Sequence, residues 1–230
     1  TMQFNNSQLM FNDATSLGGG IVASSYSVVG LNNSLLTHNH AASLGGAIYL
    51  MQEATLLASH SVISVNSAYT AGGAINAKDK AAFLLTDVTL NFNMAEEGGA
   101  ILMDSNNNFD IEHSSFTDNV ASSTGGAISG HGAAAVTITN SNFTRNVALS
   151  GGSIWAENFL VLTASNNLFD YNYAESRGGA VLMSDETSGI ISNCSFKGNT
   201  ANSTGGGGVW VQDQSSPIIE FCKFLVCSLV

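Results

Sequence analysis

Apolar residues alternate with polar ones over short stretches, and those stretches return at a fixed interval along the chain. Pairs two residues apart recur as Val29 and Leu31, Phe83 and Leu85, Phe109 and Ile111, and Val136 and Ile138. A second column holds Leu9, Leu36, Ile63, Leu90, Phe116, Phe143, Phe169 and Phe196, each preceded at two residues by Ser7, Ser34, Ser61, Val88, Ser114, Ser141, Asn167 or Cys194. A third opens on Ile21, Ile48, Ile75, Ile101, Ile128, Ile154, Val181 and Val209. Period-two spacing of this kind puts alternate side chains on one face of a strand, and no stretch shows the i, i+3, i+4 spacing of a helix. Between the first two columns sits Asn6, Asn33, His60, Asp87, His113, Asn140, Asn166 or Asn193, residues that tolerate a left-handed turn.

Two further columns lock the interval. Asn12, Asn39, Asn66, Asn93, Asn119, Asn146, Asn172 and Asn199 follow one another at 26 or 27 residues. A glycine pair comes five or six residues after each, beginning at Gly18, Gly45, Gly72, Gly98, Gly125, Gly151, Gly178 and Gly205, then a small residue such as Ala100, Ala127 or Gly207. A period in the twenties held through eight copies is the mark of a solenoid. Without helices the expected fold is all-β, a right-handed parallel β-helix of eight coils with three short strands per coil, its hand following the preference of parallel crossovers. The asparagines are expected to form a hydrogen-bonded ladder from coil to coil. Residues 1–230 read as one β-helix unit, and the repeats cut at both termini suggest a segment of a longer protein.

Composition narrows the function. The net charge is −11 with six Lys and Arg, which disfavours nucleic acid as a partner. No apolar run reaches the ~20 residues of a membrane-spanning helix, so this segment is not expected to insert in a bilayer. Cys194 and Cys222 fall in one column of adjacent coils, where a strand spacing of ~4.8 Å suits a disulfide, and a bridge there would imply an oxidising compartment. Sequons at Asn5, Asn32, Asn142, Asn193 and Asn202 are glycosylation candidates; polar composition alone yields as many.

Candidate surfaces and chemistry come next. Alternation directs the column containing Tyr49, Leu102, Trp155, Leu182 and Trp210 outward, so it reads as an apolar contact stripe for self-association, another surface or filament protein, or glycans. Glu53, Asp79, Asp104, Glu157, Asp185 and Asp213 read as an acidic turn, a solvated edge that would bind Ca2+ only with help from the carbonyls of residues 106–108; no other cofactor is expected. Asp118 and Arg145 share a column and should form a surface ion pair, with Asp170 and Lys197 in the column beside them. His38 and His40 flank Asn39 without a nucleophile or metal-ligand pattern. No catalytic residue is assigned. The rival reading is a carbohydrate-binding or polysaccharide-cleaving β-helix, a lyase or hydrolase, which needs clustered acids and bases in a cleft, whereas the spacing here leaves no long loop to build one.

Phe116-Thr117-Asp118-Asn119 with Gly125-Gly126-Ala127-Ile128, and Phe169-Asp170-Tyr171-Asn172 with Gly178-Gly179-Ala180-Val181, resemble the FxxN and GGA(I/L/V) motifs of the chlamydial polymorphic outer membrane proteins, and of the wider class of extracellular β-helix proteins with such repeats. The resemblance extends through the chain, with Leu or Ile in place of Phe in the first four coils. It implies a cell-surface or extracellular location, a role in adhesion or in building a stalk or filament, and no enzymatic activity.

Overall fold

The structure, a computed structural model, describes residues 1–104, 108–203 and 205–229. Each coil contributes to four parallel sheets rather than to the three that the sequence predicts. The first sheet runs through nine strands from Met2–Asn5 to Ser216–Glu220 and the second through nine from Gln8–Met10 to Lys223–Leu225. The third has nine, from Asp13–Ala14 to Ser228–Leu229, and the fourth eight, from Ile21–Ala23 to Val209–Val211. Each strand pairs with its counterpart one coil away, so that Phe116 faces Phe143 and Phe143 faces Phe169.

The additional sheet is the third, formed by the residues between the ladder asparagine and the glycine pair. Its inward positions, among them Ala41, Ala121 and Ala174, are buried. The corner that separates it from the second sheet carries no consistent turn signal: His38, Asp118 and Gly198 stand there in some coils, bulky residues in others. Phe11, Val65, Phe92 and Tyr171 occupy that corner with φ of 57°, 55°, 55° and 52°, a region that costs a bulky L residue roughly 1–2 kcal/mol. The first corner behaves as the sequence predicts, with Asn6, His60, Asp87 and Asn193 all left-handed.

The interior is built from stacked identical positions. Phe116, Phe143, Phe169 and Phe196 are fully buried, with successive ring centroids 4.7, 5.0 and 4.7 Å apart and nearly parallel planes. The sheet spacing of ~4.8 Å imposes that stacking, and each buried ring contributes about 1.5–3 kcal/mol by leaving water. Leu36, Ile63 and Leu90 fill the same column in earlier coils and are equally buried.

The glycine pair closes the corner between the third and fourth sheets. Gly98 has φ +59°, and a Cβ on it would run into the carbonyl of Ile101; one on Gly99 would meet the carbonyl of Gly126 in the next coil. In the last of these corners the run Gly205–Gly208 shifts the expected register by one. Val181 pairs with Val209, and Gly179 donates its N–H to the Gly206 carbonyl. Gly206 and Gly207 are therefore the pair and Gly208 the small residue, with Gly205 the extra one.

Candidate functional site

The strand Ile128–His131 ends where the fourth sheet meets its closing turn, and the same position in neighbouring coils is Lys78, Asp104 and, after Ala156, Glu157. A cation and an anion thus alternate along four coils. His131 Nδ1 lies 3.0 Å from Glu157 and Nε2 3.8 Å from Glu97, which ends a strand of the third sheet. Burial pushes the His131 pKa down, but the Glu157 hydrogen bond and the charges of Glu157, Glu97 and Asp104 outweigh it, leaving the pKa above the ordinary 6.5. The same hydrogen bond from His131 holds the Glu157 carboxyl below its ordinary value, against the effect of burial.

Ser129 Oγ lies 2.9 Å from His131 Nε2, so Ser129, His131 and Glu157 form a hydrogen-bonded chain in the order of a nucleophile, base and orienting acid. Its accessibility excludes that chemistry. Ser129 is 0 % exposed, and Thr124 Oγ1 sits 3.1 Å from its hydroxyl. A substrate carbonyl has no approach to the oxygen, and the chain acts as a buried polar clasp between adjacent coils. The sequence did carry a signal for it: the acidic series breaks between Asp104 and Glu157, one repeat from each, and His131 fills the gap.

The expected contact stripe is overturned. Tyr49, Leu102 and Leu182 are 2 %, 7 % and 0 % exposed, and Trp155 and Trp210 are only partly exposed. The reason is the glycine corner, which folds back over this column: a Cβ on Gly178 would touch the Leu182 side chain, and one on Gly205 the Trp210 ring. The stripe is a second, narrow interior between the third and fourth sheets. Asn76 lies within it, 1 % exposed, between Tyr49 and Leu102, with no hydrogen-bond partner on either side-chain atom.

The acidic turn also separates. Asp185 and Asp213 share one column, as the Glu186 N–H to Asp213 carbonyl bond shows, whereas the Glu53 N–H to Asp79 carbonyl bond places Glu53 beside Lys80. Asp104 and Glu157 belong to the His131 column. Among the described residues no three His, Cys, Asp or Glu side chains gather as a metal site. Asn106 and Asn107 lie outside the described residues.

Cys194 and Cys222 are register neighbours, flanking the pair Ser195 and Lys223, but both are free thiols in place of the expected disulfide. Each thiol does the work of the serine column: Cys194 Sγ donates to the Ser192 carbonyl at 3.3 Å, as Ser141 Oγ does to Thr139 at 2.8 Å. Burial pushes the Cys194 thiol up to about 11.

The ladder asparagines lie in hydrogen-bonding contact from Asn12 to Asn199, with side-chain N···O distances of 2.7 to 3.1 Å. Asn199 ends the run on the Cys227 sulfur at 3.8 Å. Asn5, Asn32, Asn142, Asn193 and Asn202 are all exposed. Arg145 clasps Asp118 through Nε and Nη2 at 2.8 and 2.7 Å, while Lys197 sits over the Tyr171 ring, 5.6 Å from its centroid. His38 stacks on Phe11 with centroids 4.8 Å apart, and His40 meets Ser67 at 3.0 Å.

Two family models match the chain. The chlamydial polymorphic membrane protein repeat matches residues 113–131, and the right-handed beta helix region matches residues 126–229. No curated protein and no solved structure matches significantly. The first match spans one FxxN and one GGAI motif and the second nearly half of the chain; with the coil-to-coil register they show a right-handed parallel β-helix, one of whose coils is similar to the chlamydial polymorphic membrane protein repeat.

Proposed function

We propose that the chain is a non-enzymatic shaft of a surface-associated repeat protein, holding adhesive or structural side chains away from a cell. The observation that carries this reading is the continuous coil-to-coil pairing of the sheets, nine strands deep in three of them. A rod of that kind displays side chains at a fixed pitch. Among the described residues, the constellation that resembles a catalytic apparatus, Ser129, His131 and Glu157, has its serine buried.

Antibody labelling of intact cells, with and without surface proteolysis, tests the location. Labelling that requires permeabilised cells would overturn it. The competing reading, cleavage of a polysaccharide, predicts release of unsaturated or reducing sugars from a glycan panel; such release would displace the shaft proposal.

A further inference from the structure

The corner between the second and third sheets displays one residue per coil, the one immediately before the ladder asparagine. In four successive coils these are Phe92, Asp118, Arg145 and Tyr171. Phe92 is 56 % and Tyr171 55 % exposed, and the Arg145 side chain is 56 % exposed while clasping Asp118. The order is aromatic, anion, cation, aromatic. A two-fold axis perpendicular to the rod, passing midway between Asp118 and Arg145, sets Arg145 against Asp118 of a second copy and Phe92 against Tyr171 of that copy. On the adjoining third sheet Val120 and Val147 are register neighbours with outward-facing side chains, and the same axis places each against the other.

We infer that two copies of this chain pair antiparallel through this corner. A two-fold contact must be self-complementary, and this column is so in both charge and shape class. Arg145 uses Nε and Nη2 on its own Asp118; a guanidinium has five N–H donors, so others remain for the carboxylate of the second copy. The four charges then alternate around the axis, each next to two of opposite sign. A net charge of −11 opposes contact between copies in general, and favours a face whose central charges cancel. Glu96 and Glu175, both exposed, would stand opposite one another farther along the third sheet, at a rim open to water. The inference goes beyond the shaft reading and does not rest on it, because a rod at any location can pair and a surface rod can remain single.

Sedimentation equilibrium of the 230-residue chain at low ionic strength tests it. The unaltered chain should dimerise. Asp118→Arg alone and Arg145→Asp alone place like charges across the axis and should each weaken pairing about ten-fold or more. Mixing the two variants should restore the dimer, because every cross-axis contact is then cation to anion, and so should both substitutions in one chain. Phe92→Asn, a residue that accepts the left-handed corner more readily than Phe, should fold well and still weaken pairing. A monomeric unaltered chain, single variants that pair as well as it does, or a mixture that stays monomeric would each overturn the inference.

Discussion

Asn119 donates both its backbone N–H and its side-chain amide to one atom, Oδ1 of Asn146, at 3.1 and 3.0 Å. Asn146 in turn donates to the Phe116 carbonyl at 3.0 Å, so a single side chain binds three polar groups of the neighbouring coil. Asn146→Ala would leave the backbone N–H and one side-chain amide N–H of Asn119 unpaired in the interior. At roughly 1–3 kcal/mol for each buried orphan, the loss should reach about 3 kcal/mol or more. Asn12→Ala, at an exposed position, should cost less than about 1 kcal/mol. Urea titrations of both variants check the contrast, and equal costs would argue against the ladder as a source of stability.

Asn76 gives the opposite sign. Its amide is buried without partners between Tyr49 and Leu102, so Asn76→Leu exchanges an unmet polar group for an apolar side chain of similar size. Stability should rise by about 1–3 kcal/mol. A lowered urea midpoint in the variant would show that the amide is satisfied in solution.

The His131 and Glu157 pair sets a pH window. The raised His131 pKa means that its contribution is complete below 6.5 and lost as pH rises through the folded value. The lowered Glu157 pKa means that its contribution is complete above 4.5 and lost as pH falls through the folded value. Both contributions are complete between 4.5 and 6.5. The stability gap between the natural chain and His131→Gln should therefore be larger near pH ~5.5 than near pH ~9, by on the order of 1 kcal/mol. Denaturation at the two pH values measures it; a gap that does not change with pH would remove the charged clasp.

Thiol labelling separates the cysteines. Cys194 is buried with its pKa near 11, so at pH ~8 it holds little of the reactive thiolate. Iodoacetamide should modify the partly exposed Cys222 and Cys227 well before Cys194, and unfolding should abolish the difference. An intact mass two hydrogens lighter, restored by reductant, would mean that Cys194 and Cys222 are bridged.

Where the repeat carries its own turn chemistry, the architecture was legible in the sequence. The asparagine column, the stacked Phe116 to Phe196 and the Asn- and His-rich first corner announce themselves by residue type and spacing. The third sheet did not, because Phe11, Val65, Phe92 and Tyr171 are poor turn residues, held in a left-handed corner by the structure around them. Strict alternation misplaced Tyr49 and Leu182, since it describes a strand and not the chain that folds back over it at Gly45 and Gly178. The disulfide expectation failed more narrowly: the register of Cys194 and Cys222 was right, but sequence spacing alone does not specify the oxidation state.

The fixed residues of the FxxN motif, such as Phe143 and Asn146, are buried, while the two between them, Thr144 and Arg145, reach the surface to differing degrees. The scaffold and its outward lettering are therefore specified by different positions. Substitution at the variable pair can rewrite what one level of the rod presents while the stacking beneath it persists. A new binding patch can arise one coil at a time, without the fold having to be found again.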